Sequence, residues 1–314
     1  MSSNVSINVV DRIKNMESLP TMPTLLQPLL SCIRRPAGEV EIDEIVKLAE
    51  QDESITAQCI RVANSPLFAR TRVAISLREA VFSLGVRRVE DILLSICVSR
   101  LLPRDKYVVD PMAFWRHSLG CALVARKLAE MIRFEDPDGV YLAGLLHDLG
   151  IIANAMAFPK EFHLALEEAV VQHLPLDAAE QTTLGFTHAE SGAILAELWR
   201  LPPHCCEVIR FHHDVASAPA GGHATYIALV SLADLLCRVR DMGYGYPEFL
   251  RVEFAAHPGW ELLMAQYKEL EKLDLVRFTF EVSDAVSEVS AVVNLIFPGL
   301  TPTPDPGDPH QRPN

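Results

Sequence analysis

The chain has 314 residues, of which 49% are apolar and 22% are charged, and this balance excludes a wholly disordered protein. Its 28 Lys and Arg against 41 Asp and Glu give a formal net charge of −13. So acidic a chain argues against binding along DNA, because phosphate neutralisation requires clustered positive charge. Seven cysteines without paired spacing indicate a reducing cytoplasm rather than a disulfide framework.

Helical patterns dominate the chain up to residue 298, and the predicted fold class is all-α. Capping boxes at Ser76–Glu79 and Thr187–Glu190 mark two helix starts. The pair Asp136-Pro137 supplies a third N-cap, followed by proline at the first helical position.

The longest apolar stretch, Gly139–Phe158, is long enough to span a bilayer. It carries His147-Asp148 near its middle, where a charge is costly in lipid. We therefore interpret it as a buried helix with its exit turn, and we expect a soluble cytoplasmic protein. The polar first residues, Met1–Asp11, contain no signal-peptide core.

Interruptions by proline and by polar residues divide the chain into parts. The predicted parts are a lead-in helix at 1–18, an N-terminal helical subdomain at 19–105, a second helical subdomain at 111–240, a C-terminal helical extension at 241–297 and a disordered tail at 298–314.

Several predicted helices of the second subdomain carry a polar side chain on their apolar face. On the helix after Pro111, His117 lies one turn before Cys121 in such a stripe, and the same spacing recurs on four further helices. The inward-facing residues are His117, His147, Asp148, His188, His212, His213 and Asp234.

Two inward carboxylates and five imidazoles need partners, since an unpaired buried carboxylate costs several kcal/mol. A divalent metal suits both groups, so we predict one or two ions, with Fe, Mn, Zn, Ni and Co all left open. The absence of cysteine from the set argues against a structural thiolate zinc site. The alternative is a polar core whose side chains satisfy one another and the backbone.

The segments that carry these residues resemble the motifs of a known protein family. Leu145–Gly150 resembles the signature of the HD superfamily of metal-dependent phosphohydrolases, and four other segments follow that family's order. They are Phe114–Ser118, Thr187–Gly192, Phe211–Asp214 and Ala233-Asp234.

The amino-terminal part resembles the HDOD branch of that superfamily, and the resemblance extends over residues 19–240. The segments that carry it are Leu19–Pro23, Gln51–Thr56, Arg61–Ser65, Ile75–Val81 and Leu84-Gly85. The resemblance implies a bacterial signalling module in which an HD-like five-helix core follows an N-terminal helical subdomain.

By analogy with HD phosphodiesterases, one ion would be held by four of the predicted residues, and Asp148 would bridge to a second ion. The first set is His117, His147, Asp148 and Asp234. The second adds His188 and His212 to Asp148, with His213 left open as a further ligand. If the protein is an enzyme, Asp148 is its catalytic candidate, and the chemistry would be attack of an activated water on phosphorus.

Three departures from the family pattern weaken the interpretation of the chain as an enzyme, and the first two disfavour cleavage of cyclic di-GMP. Ile151 replaces a lysine of the relatives that cleave it, and no Gly-Tyr-Pro follows His212-His213 at their spacing. Gly245–Pro247 has those letters but lies beyond Asp234, and we interpret it as a turn. Ala113 replaces a glutamate of three-metal relatives, so at most two ions are expected.

Two functions remain open from the sequence. The preferred one is a regulatory HDOD protein that binds a signalling protein or a small nucleotide and whose metal serves structure or sensing. The alternative is a metal-dependent phosphohydrolase acting on a nucleotide or another phosphoester. No DNA or membrane partner is expected, and a homo-oligomer is possible.

Overall fold

The computed structural model describes residues 23–33, 35, 39–65, 73–101, 109–219, 221–240, 242–244, 254–268, 270, 289 and 292–295. The predicted lead-in helix, the predicted tail and most of the predicted C-terminal extension lie outside these residues. The subdomain boundary at 105–111 stays a prediction.

The described residues contain α-helices and no strand, and the all-α class is confirmed. The principal helices are α1 (Leu26–Ile33), α2 (Ile42–Ala49), α3 (Glu53–Ala63), α4 (Leu77–Leu84), α5 (Val86–Ser99), α6 (Pro111–Met131), α7 (Pro137–Leu146), α8 (Leu149–Ala157), α9 (Pro159–Gln172), α10 (Leu176–Thr183), α11 (His188–Leu198), α12 (Pro203–Phe211), α13 (Ala224–Val239) and α14 (Pro258–Gln266).

Local side-chain caps explain where two of the site-bearing helices begin. The Asp136 carboxylate accepts a hydrogen bond from the backbone N–H of Gly139 at 2.9 Å, directly before Pro137. Thr187 and Glu190 form the predicted reciprocal box at the start of α11. Each cap satisfies backbone donors that have no partner inside the helix.

The α4 cap departs from its prediction in one detail. The Ser76 hydroxyl accepts from the backbone N–H of Glu79 at 3.1 Å, as a capping box requires. The Glu79 carboxylate instead accepts from the backbone N–H of Ile75 at 3.0 Å, one residue before the N-cap. The helix start is as predicted, and the returning hydrogen bond is displaced by one residue.

A continuous buried apolar cluster extends from the first described helix to Val293. Within it, α6 packs along α7 and α13, and α11 packs against α8 and α12. The stretch Pro137–Ala157 is apolar and long enough to cross a membrane, but 89% of its most apolar window is buried in the protein. It is core, as predicted, and it forms two helices, α7 and α8, which meet at His147 and Asp148.

Two glycines allow the central helices to approach closely. A Cβ atom on Gly144 of α7 would lie 2.9 Å from the Ala122 Cα atom of α6. A Cβ atom on Gly150 of α8 would lie 1.7 Å from the carbonyl oxygen of His188 and 2.7 Å from the backbone nitrogen of Gly192. Both contacts are with backbone, so only glycine permits these crossings.

A buried network of ion pairs connects α5 to the helices that follow it. The Arg126 guanidinium of α6 donates to the Asp91 carboxylate of α5 at 2.8 Å and lies 3.1 Å from the Asp138 carboxylate of α7. Arg87 and Glu90, both on α5, pair at 2.9 Å. Three carboxylates thus share two guanidinium groups, and the Glu90 Oε1 atom is buried without a hydrogen-bond partner.

Candidate metal centre

All seven predicted residues come together in the interior between the helices of the second subdomain. Their positions are His117 on α6, His147 and Asp148 at the α7–α8 junction, His188 at the start of α11, His212 and His213 just after α12, and Asp234 on α13. Their potential ligand atoms fall into two neighbouring groups, and within each group these atoms lie within 4.8 Å of one another. The first group contains His117, His147 and Asp234, and the second contains Asp148, His188, His212 and His213.

The first group is built around the Nε2 atom of His117. That atom lies 3.2 Å from His147 Nε2, 3.2 Å from Asp234 Oδ1 and 3.3 Å from Asp148 Oδ2. The Asp148 Oδ2 atom is also 2.9 Å from His147 Nε2.

The second group faces the other carboxylate oxygen of Asp148. Its Oδ1 atom lies 3.3 Å from His188 Nε2 and 3.5 Å from His212 Nε2, and the Nε2 atoms of His188 and His213 are 3.0 Å apart. One oxygen of Asp148 therefore faces each group, the arrangement that a bridging carboxylate requires.

Four of the five histidines are oriented by an acceptor on the Nδ1 side of the ring. These hydrogen bonds run from His117 to the Met242 carbonyl at 2.6 Å, from His147 to the Gly144 carbonyl at 2.8 Å, from His188 to the Glu180 carboxylate at 2.6 Å and from His212 to the Ile209 carbonyl at 3.0 Å. With the proton on Nδ1, each Nε2 lone pair points into the cluster, as in metal-bound histidines.

Three atoms favour a metal centre over a self-satisfied polar core. Asp148 Oδ1, Asp234 Oδ1 and His212 Nε2 are buried and have no hydrogen-bond partner, although imidazole or carboxylate atoms lie near each of them. A satisfied core would leave no such atoms. Two ligands about 2.1 Å from one ion lie roughly 3.0 Å apart when the angle at the ion is a right angle and roughly 3.4 Å apart when it is tetrahedral, which matches most of the separations in both groups. The residues fit a divalent ion.

The charges of the cluster also favour a cation. Burial alone would raise the pKa of the Asp148 carboxyl, but the surrounding imidazoles, His147 foremost, hold it well below its usual range. Burial opposes ionisation of Asp234 too, and the neighbouring Arg238 and His117 lower its pKa. Both carboxylates are therefore ionised in the interior, and against the effect of burial they raise the pKa of the His117 imidazole to about 10. A bound cation would take the place of the proton on His117 Nε2.

Three further residues at the cluster were missed by the sequence reasoning. The Glu180 carboxylate holds His188 and accepts from the Asn154 amide at 2.9 Å. Glu180 shares the buried face of α10 with Leu176, so the inward-stripe argument would have found it. Cys121 belongs to the first group, although its pattern predicted simple packing.

Tyr244 is the third missed residue, and its hydroxyl donates a hydrogen bond to Asp148 Oδ2. It lies beyond the end of α13, where no periodic pattern marks an inward side chain. The neighbouring Gly245–Pro247, interpreted as a turn, lies outside the described residues.

The cluster is almost closed to solvent. The His213 side chain is 17% exposed, whereas the other six are between 0% and 4% exposed. Ile151 and Ala113, the two positions that depart from the catalytic relatives, are buried apolar residues here.

Comparisons with known proteins agree with this architecture. A crystal structure of an HDOD domain protein of unknown function from Geobacter sulfurreducens is 28% identical, with a TM-score of 0.81, and covers 93% of this chain and 99% of its own. A protein from Marinobacter aquaeolei, provisionally named as a signal transduction protein, is 25% identical with a TM-score of 0.70, covering 94% of this chain and 68% of its own.

A sequence relative adds a difference in length. An uncharacterized protein of Treponema pallidum is 26% identical over 252 residues, which are 80% of this chain and 47% of that protein. The chain thus spans about half the length of this curated relative.

The HDOD domain family model matches residues 19–215, more than half of the chain. The protein belongs to the HDOD domain family.

Proposed function

We propose that the protein is a regulatory HDOD protein of bacterial signal transduction, with a divalent-metal centre that serves structure or sensing rather than turnover. The residues that would hold the metal are His117, His147, Asp148, His188, His212, His213 and Asp234.

The closure of the cluster carries this proposal. A phosphoester substrate must bring its phosphorus and its leaving group beside the ions, yet of the seven side chains of the cluster His213 is the most exposed, at 17%. The buried Ile151 offers no positive charge to a substrate phosphate. Arg238, the guanidinium next to the cluster, is 9% exposed and already donates to Asp234 at 3.2 Å.

The Marinobacter relative supports a signalling role by its name, and the acidic chain supports a partner other than DNA. The proposed partner is a signalling protein or a small nucleotide. The described residues include all seven cysteines, none of which forms a disulfide, and six of them are buried, in keeping with a reducing cytoplasm.

A phosphohydrolase remains the second candidate because Asp148 offers one oxygen to each of two groups. Ions held in both groups would supply Lewis-acid activation of water for attack on a phosphoester. In that case Asp148 and Asp234 would supply the negative charge of the site, and the Nδ1 contacts would keep the imidazoles oriented.

Metal content tests the centre first. Tag-free protein purified without chelator is measured by plasma mass spectrometry, with Asp148→Ala beside the wild type and the exposed Asp43→Ala as the surface control. We expect one to two divalent ions per chain in the wild type and in Asp43→Ala, and a loss of at least half in Asp148→Ala. Equal metal in all three proteins, or none after incubation with each candidate ion, would contradict the proposal.

Turnover then separates the two candidates. The metal-loaded wild type is assayed with bis(para-nitrophenyl) phosphate and with cyclic dinucleotides. We expect no hydrolysis above that of Asp148→Ala. Hydrolysis that disappears in folded Asp148→Ala would establish the phosphohydrolase instead.

A further inference from the structure

A thiol lies among the oxygen and nitrogen atoms of the first group. Cys121 follows His117 by one turn of α6, and its Sγ atom is 3.6 Å from His117 Nε2. It lies within 4.8 Å of the potential ligand atoms of His147 and Asp234, and it is fully buried.

We propose that Cys121 binds, as a thiolate, the ion held by His117, His147 and Asp234, an inference that rests on the metal centre proposed above. When the ion binds, the sulfur–metal bond forms as the thiol proton leaves to solvent, so one proton is released for each thiolate bound. The site would then take a borderline or soft divalent ion such as zinc, cobalt or ferrous iron in preference to manganese or magnesium.

The distances support ligation. A sulfur about 2.3 Å and an imidazole nitrogen about 2.1 Å from one ion, at a near-tetrahedral angle, lie roughly 3.6 Å apart. The sulfur and nitrogen atoms of Cys121 and His117 have that separation.

A simple S–H···N hydrogen bond from Cys121 explains fewer of these contacts than a bound ion does. His117 Nε2 already faces His147 Nε2, Asp148 Oδ2 and Asp234 Oδ1 at 3.2 to 3.3 Å. One thiol proton can satisfy one of these atoms, whereas an ion satisfies the set. The buried Asp234 Oδ1, which has no hydrogen-bond partner, is an independent sign that this group suits a cation.

Ligation by Cys121 also accounts for the closed character of the centre. His117, His147, Asp234 and Cys121 complete four ligands without Asp148, as in closed structural zinc sites, while catalytic zinc sites keep one position for water. It reverses the inference, made from spacing alone, that no cysteine takes part.

X-ray absorption of the zinc-loaded full-length protein tests the proposal. The variant is Cys121→Ser, and the matched control is Cys237→Ser, which removes a thiol that contacts Cys121 but lies outside the group. We expect a sulfur shell at about 2.3 Å in the wild type and in Cys237→Ser, absent from Cys121→Ser. Zinc affinity relative to manganese falls about tenfold or more in Cys121→Ser.

The outcomes separate this inference from the proposed function. Bound zinc with only nitrogen and oxygen neighbours in the wild type would overturn the role of Cys121 and leave the metal centre intact. Loss of the sulfur shell in Cys237→Ser, with its retention in Cys121→Ser, would overturn it as well. Failure to bind zinc at all would overturn the metal centre itself. If Cys121→Ser does not fold, the wild-type and Cys237→Ser spectra decide.

Discussion

Replacing Glu90 by glutamine changes the pH dependence of stability. Glu90 lies fully buried on α5, in the ion-pair network that also contains Asp91 and Asp138. Burial first, and then these two carboxylates, raise its pKa from 4.5 to about 7, even though Arg87 opposes the shift. The folded protein therefore keeps a proton on Glu90 over a pH range in which the unfolded chain has lost it.

The sign and size of the effect follow from this difference. Stability from the Glu90 proton is fully present below pH 4.5 and is lost as the pH rises through about 7. A shift from 4.5 to about 7 corresponds to roughly 3 kcal/mol of unfolding free energy. The attraction of Arg87 is already contained in this shift. Because a glutamine side chain resembles the protonated carboxyl, Glu90→Gln avoids the loss, and a gain of roughly 3 kcal/mol is expected near pH 8.

Urea unfolding of wild type and variant across about pH 5 to 8 measures the difference directly, because other titrating groups are common to both proteins. The exposed Glu130→Gln on α6 is the matched control for the loss of one carboxylate. The variant should gain stability relative to wild type as the pH rises, and the control should not. A difference that is constant with pH, or a variant that loses stability near pH 8, would refute the reasoning.

Three other perturbations test the centre. In Gly150→Ala the new methyl carbon would lie 1.7 Å from the His188 carbonyl oxygen. To relieve this overlap, α8 and α11 must move apart. We expect a loss of about 3 kcal/mol or more by thermal unfolding, together with loss of metal by mass spectrometry. Glu180→Gln weakens the hydrogen bond to His188 Nδ1, and metal affinity measured by chelator competition should fall roughly 10- to 100-fold. If the ion was present at a hundredfold its Kd, removing it with a chelator should destabilise the wild type by about 2.7 kcal/mol, and the effect on Asp148→Ala should be smaller because that variant lacks a ligand of the second group.

Each of these has an outcome that contradicts it. Gly150→Ala with wild-type stability would mean that the α8–α11 crossing tolerates a side chain. Unchanged affinity in Glu180→Gln would remove that carboxylate from the support of the centre. An identical response to chelator in wild type and Asp148→Ala would place the stabilising ion elsewhere.

Local chemistry explains why much of the fold could be predicted. The cap at Asp136 and the box at Thr187 act within one helical turn, so the sequence alone specifies them. The i, i+4 relation between His117 and Cys121 likewise follows from helical geometry. The same periodicity showed which helix faces must meet, and all seven predicted residues do meet.

Long-range contacts explain what could not be predicted. Met242 and Tyr244 reach the centre from a segment without a periodic pattern, and more than 95 residues separate Tyr244 from its partner Asp148. The position of Cys121 predicted a packing residue, because a thiol that packs in the core and a thiol that binds a metal have the same helical spacing. Glu180 was within reach of the argument and was overlooked.

The sequence by itself determined the all-α class, the helix starts and the inward direction of the seven polar residues, because these depend on spacings of one turn. Only the tertiary structure decided that the two oxygens of Asp148 face different groups and that His213 is the most exposed of the seven side chains. Those facts depend on how closely α6, α7, α8 and α11 cross. Backbone contacts at Gly144 and Gly150, between residues distant in sequence, set those crossings.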